Sequence, residues 1–250
     1  MTVYFIGAGP GAPDLLTLRG ADLLARCSVC LYAGSLVPPA MLAHCPEDAE
    51  LVDTRRMPLD DIVERIKTAH RAGHDVARLH SGDVSLYSAF AEQARRLDRL
   101  GVPYEIVPGV PAFAAAAAAL GRELTVPEVG QSLLITRVST LSTDMPAGED
   151  LASLARTGVT LALHLAAHRA RALTDDLLPH YGSDCPVAVV AFASRSDETI
   201  VRCRLADLPD RLTAAGITKT AVIFVGRVLT ADQFPDSYLY SASRVRGASH

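Results

Sequence analysis

Strands and helices alternate along the first half of this 250-residue chain, and that alternation predicts an α/β protein whose first sheet is mostly parallel. The turns after those strands carry glycines: Gly7-Ala-Gly-Pro-Gly11, Ser81-Gly-Asp83 and Pro108-Gly-Val110. Open α/β sheets receive ligands beyond the carboxyl ends of their strands, where such turns lie. The pattern then changes. Val187–Ala193 and Thr199–Cys203 follow so closely that they read as an antiparallel pair. The expected fold is therefore two α/β domains, residues 1–121 with a mostly parallel sheet and 122–250 with a mixed sheet, with a cleft between them.

In order, Val3–Ile6 reads as the first strand, and Thr17 caps a helix running to Arg26. Ser28–Tyr32 is a second strand, Pro38-Pro39 open a short helix through Cys45, and Leu51–Thr54 is a third strand. Ile62, Ile66 and Ala69 repeat at helical spacing within Leu59–Ala72, and Gly73 closes that helix. A strand at 76–79, a helix opening near Ser88 and ending at Leu100, a strand at Tyr104–Val107 and an alanine-rich helix from Ala112 to Gly121 complete the first half. Gly121 to Gly130 holds Pro127 and little periodicity, and is the expected hinge. Ser132–Val138 and Thr160–Leu165 are strands around the polar loop Ser139–Asp150 and a short helix, Leu151–Arg156. Helices at 169–180 and Leu205–Ala215 and a last strand at Ala221–Val225 follow, with a polar tail from Phe234 that is expected to fray.

Apolar residues make up 49% of the chain and the net charge is −4, which fits a folded protein and gives no general basic field for nucleic acid. The longest apolar run, Ala112–Leu120, is far short of the roughly 20 residues a membrane span requires. Met1-Thr-Val-Tyr-Phe-Ile enters a strand without a basic region or cleavage site, so a cytoplasmic protein with no membrane partner is expected. Five cysteines and no export signal imply reduced thiols. Cys27-Ser-Val-Cys30 has metal-ligand spacing, but no second pair exists to complete a zinc site, so no metal is expected.

The first glycine loop invites a dinucleotide reading that fails twice. Pro10 and Pro13 keep a helix from opening on the last glycine, where pyrophosphate would meet amide donors. The second strand ends in Ala33-Gly34 rather than the acid that would hold a ribose. The loop reads instead as a rigid wall. Gly82 would let a backbone come close to a ligand, and Asp83 adds a carboxylate. In the turn Tyr32-Ala-Gly-Ser-Leu-Val37, Gly34 permits a positive φ and Ser35 offers one short hydroxyl. Arg55, Arg56 and Arg137 stand at strand ends, as candidates for anionic groups or as solvated cations. His164 and His168 flank a strand end and read as packed or surface histidines before they read as proton carriers. Tyr87 lines a site or caps the following helix. No Ser-His-Asp or Cys-His set is visible, and no catalytic residue is assigned.

Taken in order, Gly-Ala-Gly-Pro-Gly at 7–11, Ser-Gly-Asp at 81–83, Pro-Gly-Val at 108–110, His-Leu-Ala-Ala at 164–167 and Val-Gly-Arg at 225–227 resemble the tetrapyrrole methyltransferases over nearly the whole chain. The Tyr32–Val37 turn looks like that of the members acting on C-11 of precorrin-4. The resemblance implies S-adenosylmethionine bound in a folded shape and a homodimer. It implies cofactor contacts at Pro10, Ser81, Gly82, Asp83, Leu86, Pro111, Ala112, Leu165, Ala193 and Ala221, and a macrocycle on the side of Tyr32, Gly34, Ser35, Arg55 and Arg56. Val84 departs from the usual proline. Pro111-Ala112 stand where Thr-Ala or Ser-Ser is common, which removes a hydroxyl. Members acting on uroporphyrinogen carry an aspartate after the second-strand tyrosine, where this chain has Ala33-Gly34. The rival readings are another precorrin carbon, a cobalt-containing precorrin-4, an RNA or protein methyltransferase of the same fold, and an idle tetrapyrrole carrier.

Overall fold

A computed structural model describes residues 1–139 and 144–238. Parts of the expected polar loop (140–143) and of the tail (239–250) lie outside the described residues. The chain forms two compact units, Met1–Ala115 with Ala193–Asp197, and Ala116–Phe192 with the chain from Glu198 on.

The first unit contains β1 (Val3–Gly7), α1 (Leu18–Leu24), β2 (Val29–Tyr32), β3 (Glu50–Asp53), α2 (Leu59–Arg71), β4 (Val76–His80), α3 (Phe90–Leu100), β5 (Tyr104–Val107) and the start of α4 (Ala112–Leu120). Its five strands run in the order β3-β2-β4-β1-β5, all parallel. Every side chain of the central strand β4 is buried, as a parallel sheet covered on both faces requires. α2 packs Ile62, Val63, Ile66 and Ala69 into a core with Val3, Phe5, Val29 and Leu97. Each of the branched or aromatic side chains among them, once removed from water, stabilises the fold by about 1.5–3 kcal/mol. Asp60 and Asp61 in its first turn and Arg71 in its last match the helix dipole. The hydroxyl of Thr17 accepts from the Gly20 amide and caps α1, as the sequence predicts.

The second unit carries the remainder of α4, then β6 (Leu133–Arg137), α5 (Leu151–Ala155), β7 (Thr160–His164), α6 (Ala170–Tyr181), β8 (Pro186–Ala191), β9 (Thr199–Arg204), α7 (Leu208–Ala214) and β10 (Ala221–Val225). The strand order is β6-β7-β10-β8-β9. Only β6 and β7 are parallel, and the other pairs are antiparallel, including β8 with β9. The sheet is mixed, as expected.

The differences from the sequence reading are local. α3 begins at Phe90, not near Ser88, because Tyr87 and Ala89 are left-handed (φ 52° and 54°) and cannot continue a right-handed turn. The short helix expected after Pro38 is present, as a 3₁₀ helix at Pro39–His44. The helical stretch expected from Leu205 is present, as a 3₁₀ turn at Leu205–Asp207 followed by α7. β8 stops at Ala191, since Phe192 and Ser194 are left-handed (φ 53° and 67°).

Candidate active site

Three turns of the first unit are locked together beyond the carboxyl ends of β1, β4 and β5. Gly9 and Gly82 exchange backbone hydrogen bonds, Gly9 N to Gly82 O at 3.1 Å and Gly82 N to Gly9 O at 2.7 Å. The Ala8 amide donates to His80 O at 2.8 Å. The Gly9 amide is thus spent on the protein, which is a further physical reason why this loop does not present pyrophosphate donors. Asp83 reaches across to the third turn: its Oδ2 accepts from the Gly109 amide at 2.7 Å, and its Oδ1 accepts from the amide and hydroxyl of Ser85. Burial pushes the Asp83 carboxyl upward, but the Ser85 hydroxyl and the Gly109, Ser85 and Val84 amides outweigh it, so the group sits below the usual carboxyl range.

Small residues are needed here because backbones touch. A Cβ on Gly7 would stand 2.6 Å from Gly109 N and 2.8 Å from Gly82 O. Gly82 is required for a different reason than sequence spacing suggests. Its φ of +67° is the constraint, since a Cβ there would meet only Ala112 N and Pro111 Cα at 3.7 and 3.9 Å.

The positions implied for the cofactor fall into two groups. Pro10, Ser81, Gly82, Asp83, Leu86, Pro111, Ala112 and Ala193 belong to the first unit. There Pro111 O starts α4 by accepting from Ala114 and Ala115, and Val84 is packed in the core. Ala193 precedes Ser194, whose Oγ accepts from the Ala12 amide at 3.0 Å and joins that segment to the Pro10 loop. Leu165 and Ala221 belong to the second unit and line one cavity of about 180 Å³ with Ala166, Ala167, His168 and Thr218–Thr220. Leu165 is left-handed (φ 53°) and 55% exposed, and Thr220 beside it is left-handed too. An apolar side chain held out of the core in a strained conformation is a mark of a binding surface.

Of the positions on the side of the second-strand turn, Tyr32, Gly34 and Arg55 are gathered by one residue that spacing does not reveal. β2 and β3 are in register so that Tyr32 faces Asp53. The Asp53 carboxylate accepts from the Gly34 amide and from the Arg55 amide, both at 3.0 Å, and pairs with Arg55 Nε at 2.9 Å. Gly34 does not have the positive φ that the sequence reading allowed. Its constraint is room: a Cβ there would stand 2.6 Å from Asp53 Oδ2. Ser35 is exposed, and Arg56 is exposed and stands in no ion pair among the described residues.

Beneath this turn lies a buried polar chain. The Thr54 amide and hydroxyl both donate to Tyr32 O, at 2.7 and 3.1 Å. Arg78 Nη1 donates to Thr54 Oγ1 and Arg78 Nε to Gln93 Oε1, both at 3.0 Å, and Gln93 Nε2 donates to Ala89 O at 3.0 Å. Thr54, Arg78 and Gln93 are buried. The only sequence signal for them was polar residues at positions whose neighbours are core. Next to Arg78 on the strand, His80 is 6% exposed, and burial with the neighbouring Arg78 charge pushes its pKa down to about 3, so it is neutral.

Arg137 donates to the carbonyls of Val138 and Asp144 and holds the following loop. Burial lowers the pKa of His164, and His168 is exposed. The Ser88 hydroxyl, not Tyr87, accepts from the Phe90 amide at the start of α3. Cys27 and Cys30 are buried free thiols. Burial pushes Cys27 up to about 12, and Cys30 is held protonated by its hydrogen bond to Cys45. Among the described residues, no helix is long and apolar enough to cross a membrane.

The profile of the tetrapyrrole (corrin/porphyrin) methylases matches residues 2–209. The precorrin-4 C(11)-methyltransferase of Rhodococcus erythropolis is 63% identical over 246 residues, which cover 98% of this chain and 99% of the relative. Among solved structures, a cobalt precorrin-4 methyltransferase of cobalamin biosynthesis superposes with a TM-score of 0.89 at 39% identity, covering 92% of this chain and 96% of that one. The uroporphyrin-III C-methyl transferase of Thermus thermophilus, solved with S-adenosylhomocysteine, gives 0.75 at 29% identity over 92% and 99% of the two chains. With a match that spans most of its length, and relatives this similar across nearly all of it, the chain belongs to the tetrapyrrole (corrin/porphyrin) methylases.

Proposed function

We propose that this chain transfers a methyl group from S-adenosylmethionine to C-11 of precorrin-4, giving precorrin-5 in cobalamin biosynthesis. The observation that carries the choice of substrate is 63% identity, over nearly the full length of both chains, to a relative named for that reaction. The lower identity of 39% to a cobalt precorrin-4 enzyme favours the metal-free macrocycle. When bound, S-adenosylmethionine supplies an electrophilic methyl: a bond forms from that methyl to C-11, its bond to sulfur breaks, S-adenosylhomocysteine is released, and the methylated macrocycle gives up one proton to solvent.

The chain's own contribution is position, which alone can be worth about 7–11 kcal/mol of barrier. On this reading the locked turns carrying Pro10, Ser81–Asp83, Leu86, Pro111 and Ala112, with Ala193, contact the cofactor. Leu165 and Ala221 offer it an apolar wall in a cavity that also holds hydroxyls, a combination that suits an adenosine. Tyr32, Gly34, Ser35, Arg55 and Arg56 receive the macrocycle. The first domain then carries the substrate turn and part of the cofactor site, and the second the rest. The protein works as a cytoplasmic homodimer, which light scattering on the purified protein tests.

The deciding experiment supplies purified protein with S-adenosylmethionine and either metal-free or cobalt-containing precorrin-4, and locates the new methyl by mass spectrometry and NMR. Methylation at C-11 of the metal-free substrate is expected. Methylation at another carbon would replace the reaction. Failure to bind S-adenosylhomocysteine in a calorimeter would leave a tetrapyrrole carrier instead.

A further inference from the structure

We propose that Asp53 is the positioning residue for the substrate turn: its carboxylate shapes Ala33–Val37, and position 34 is glycine because that carboxylate fills the space a side chain would need. This rests on the reading of Tyr32–Val37 as the turn that receives the macrocycle.

Asp53 ends the edge strand β3, directly across from Tyr32 at the end of β2. From there its Oδ1 takes two backbone amides, Gly34 and Arg55, at 3.0 Å each, while Oδ2 takes Arg55 Nε at 2.9 Å. One side chain thereby fastens the turn after β2 to the turn after β3. The amides of Arg55 and then Gly34 hold the carboxyl below its ordinary range, so it stays an anion and keeps its acceptors at neutral pH. The same carboxylate explains the glycine. A Cβ on Gly34 would meet Oδ2 at 2.6 Å, Cγ at 3.0 Å and Oδ1 at 3.2 Å, and these are the three nearest atoms. The backbone at 34 is not left-handed, so a side chain is conformationally allowed, and what it would displace first is the Asp53 carboxylate, which its bonds to the Gly34 and Arg55 amides and to Arg55 Nε hold in place. Because the charge of Asp53 is matched by Arg55, the pair presents a fixed, nearly neutral edge beside Arg56, which is exposed and in no ion pair among the described residues. The turn itself has few other fastenings: Leu36 and Val37 donate back to Ala33 O, and Val37 is buried.

The test is a double-mutant cycle of Gly34→Ala and Asp53→Ala, reading KM and kcat for precorrin-4, the Kd of S-adenosylhomocysteine and the melting temperature. Asp53→Ala is expected to raise KM about tenfold, with kcat and S-adenosylhomocysteine affinity within about threefold of the parent, because a loosened turn binds substrate less well without losing a reacting group. Asp53→Asn keeps an acceptor for the Gly34 amide and should recover most of that loss. Gly34→Ala should be harmful in the parent and add nothing to Asp53→Ala, since the colliding atoms are then gone. Undiminished harm from Gly34→Ala on the Asp53→Ala background, or no harm in the parent, would overturn the proposed contact. Coupling that shows in S-adenosylhomocysteine affinity instead of precorrin-4 KM would leave the contact standing but remove the substrate reading of the turn, and with it the positioning role.

Discussion

Arg78 Nη1 donates to Thr54 Oγ1 at 3.0 Å inside the first unit, and both side chains are buried. The guanidinium has no carboxylate partner among the described residues. Its bonds to Thr54 and Gln93 stand in for one, and burial draws its pKa down to about 10, so it remains a cation. Through Thr54 it fixes Tyr32 O, and through Gln93 it fixes Ala89 O. One buried charge thus braces the turn after β2 and the end of the turn after β4.

Thr54→Val removes a hydroxyl of nearly the same volume and leaves an Arg78 N–H buried without an acceptor. The expected cost is about 1–3 kcal/mol in urea denaturation. Thr54→Ser retains the hydroxyl and should cost less than half as much. Equal losses for the two would mean that methyl packing, not the hydrogen bond, holds this position.

His80 gives the fold a pH dependence whose sign is fixed by its burial. The folded pKa is depressed to about 3 from an ordinary 6.5, by desolvation first and the Arg78 charge second. Below pH 6.5 the unfolded chain takes a proton that the folded chain refuses. The contribution is therefore fully present above 6.5 and is lost as pH falls toward 3, at up to about 1.4 kcal/mol per pH unit. Replacing His80 by Leu removes this term. The stability gap between parent and variant should shift by about 2 kcal/mol in the variant's favour between pH 6.5 and 4.5. A gap that stays constant with pH would show that His80 is not held neutral.

The locked turns allow a test of their own. Gly7→Ala places a methyl 2.6 Å from Gly109 N, against backbone that cannot rotate away. A destabilisation of at least about 2 kcal/mol is expected, together with weaker S-adenosylhomocysteine binding, because the turns after β4 and β5 are pushed apart. If binding is unchanged in a folded Gly7→Ala protein, the cofactor does not depend on these turns.

The fold was largely legible because its signals are local: α2 repeats its apolar residues at helical spacing, and β1, β4 and β5 are short apolar-rich runs closed by turn residues. The antiparallel β8–β9 pair was legible from its short connection. What sequence could not supply was register. Asp53 lies 19 positions beyond Gly34, and nothing in the chain says that β2 and β3 pair so as to bring them together. Glycine at 34 was read as conformational freedom because a single sequence shows a missing side chain but not the neighbour that fills its space. The left-handed residues at Tyr87, Ala89, Leu165 and Thr220 were also invisible, since none is glycine and their strain is imposed by tertiary structure.

Arg55 and Arg56 are adjacent, yet the structure separates their electrostatic roles. Arg55 is paired with Asp53 at 2.9 Å, whereas Arg56 is exposed and unpaired among the described residues. Precorrin-4 carries several carboxylates, so on the proposed reading Arg56 is the cation that meets them. Attraction between exposed charges is screened over about 8 Å at physiological ionic strength, so the KM for precorrin-4 should rise with added salt. Arg56→Gln should raise KM several-fold at low salt, the scale of one partly solvated charge pair of about 1 kcal/mol, and should flatten the salt dependence. Arg55→Gln removes a charge that Asp53 already matches, leaves a carboxylate near the turn, and should retain a salt slope closer to that of the parent. S-adenosylhomocysteine affinity, which on the proposed reading rests on apolar and backbone contacts, should change little in either variant or with salt. Equal salt slopes for parent and Arg56→Gln, or an equal response of both ligands to salt, would remove Arg56 from the substrate site.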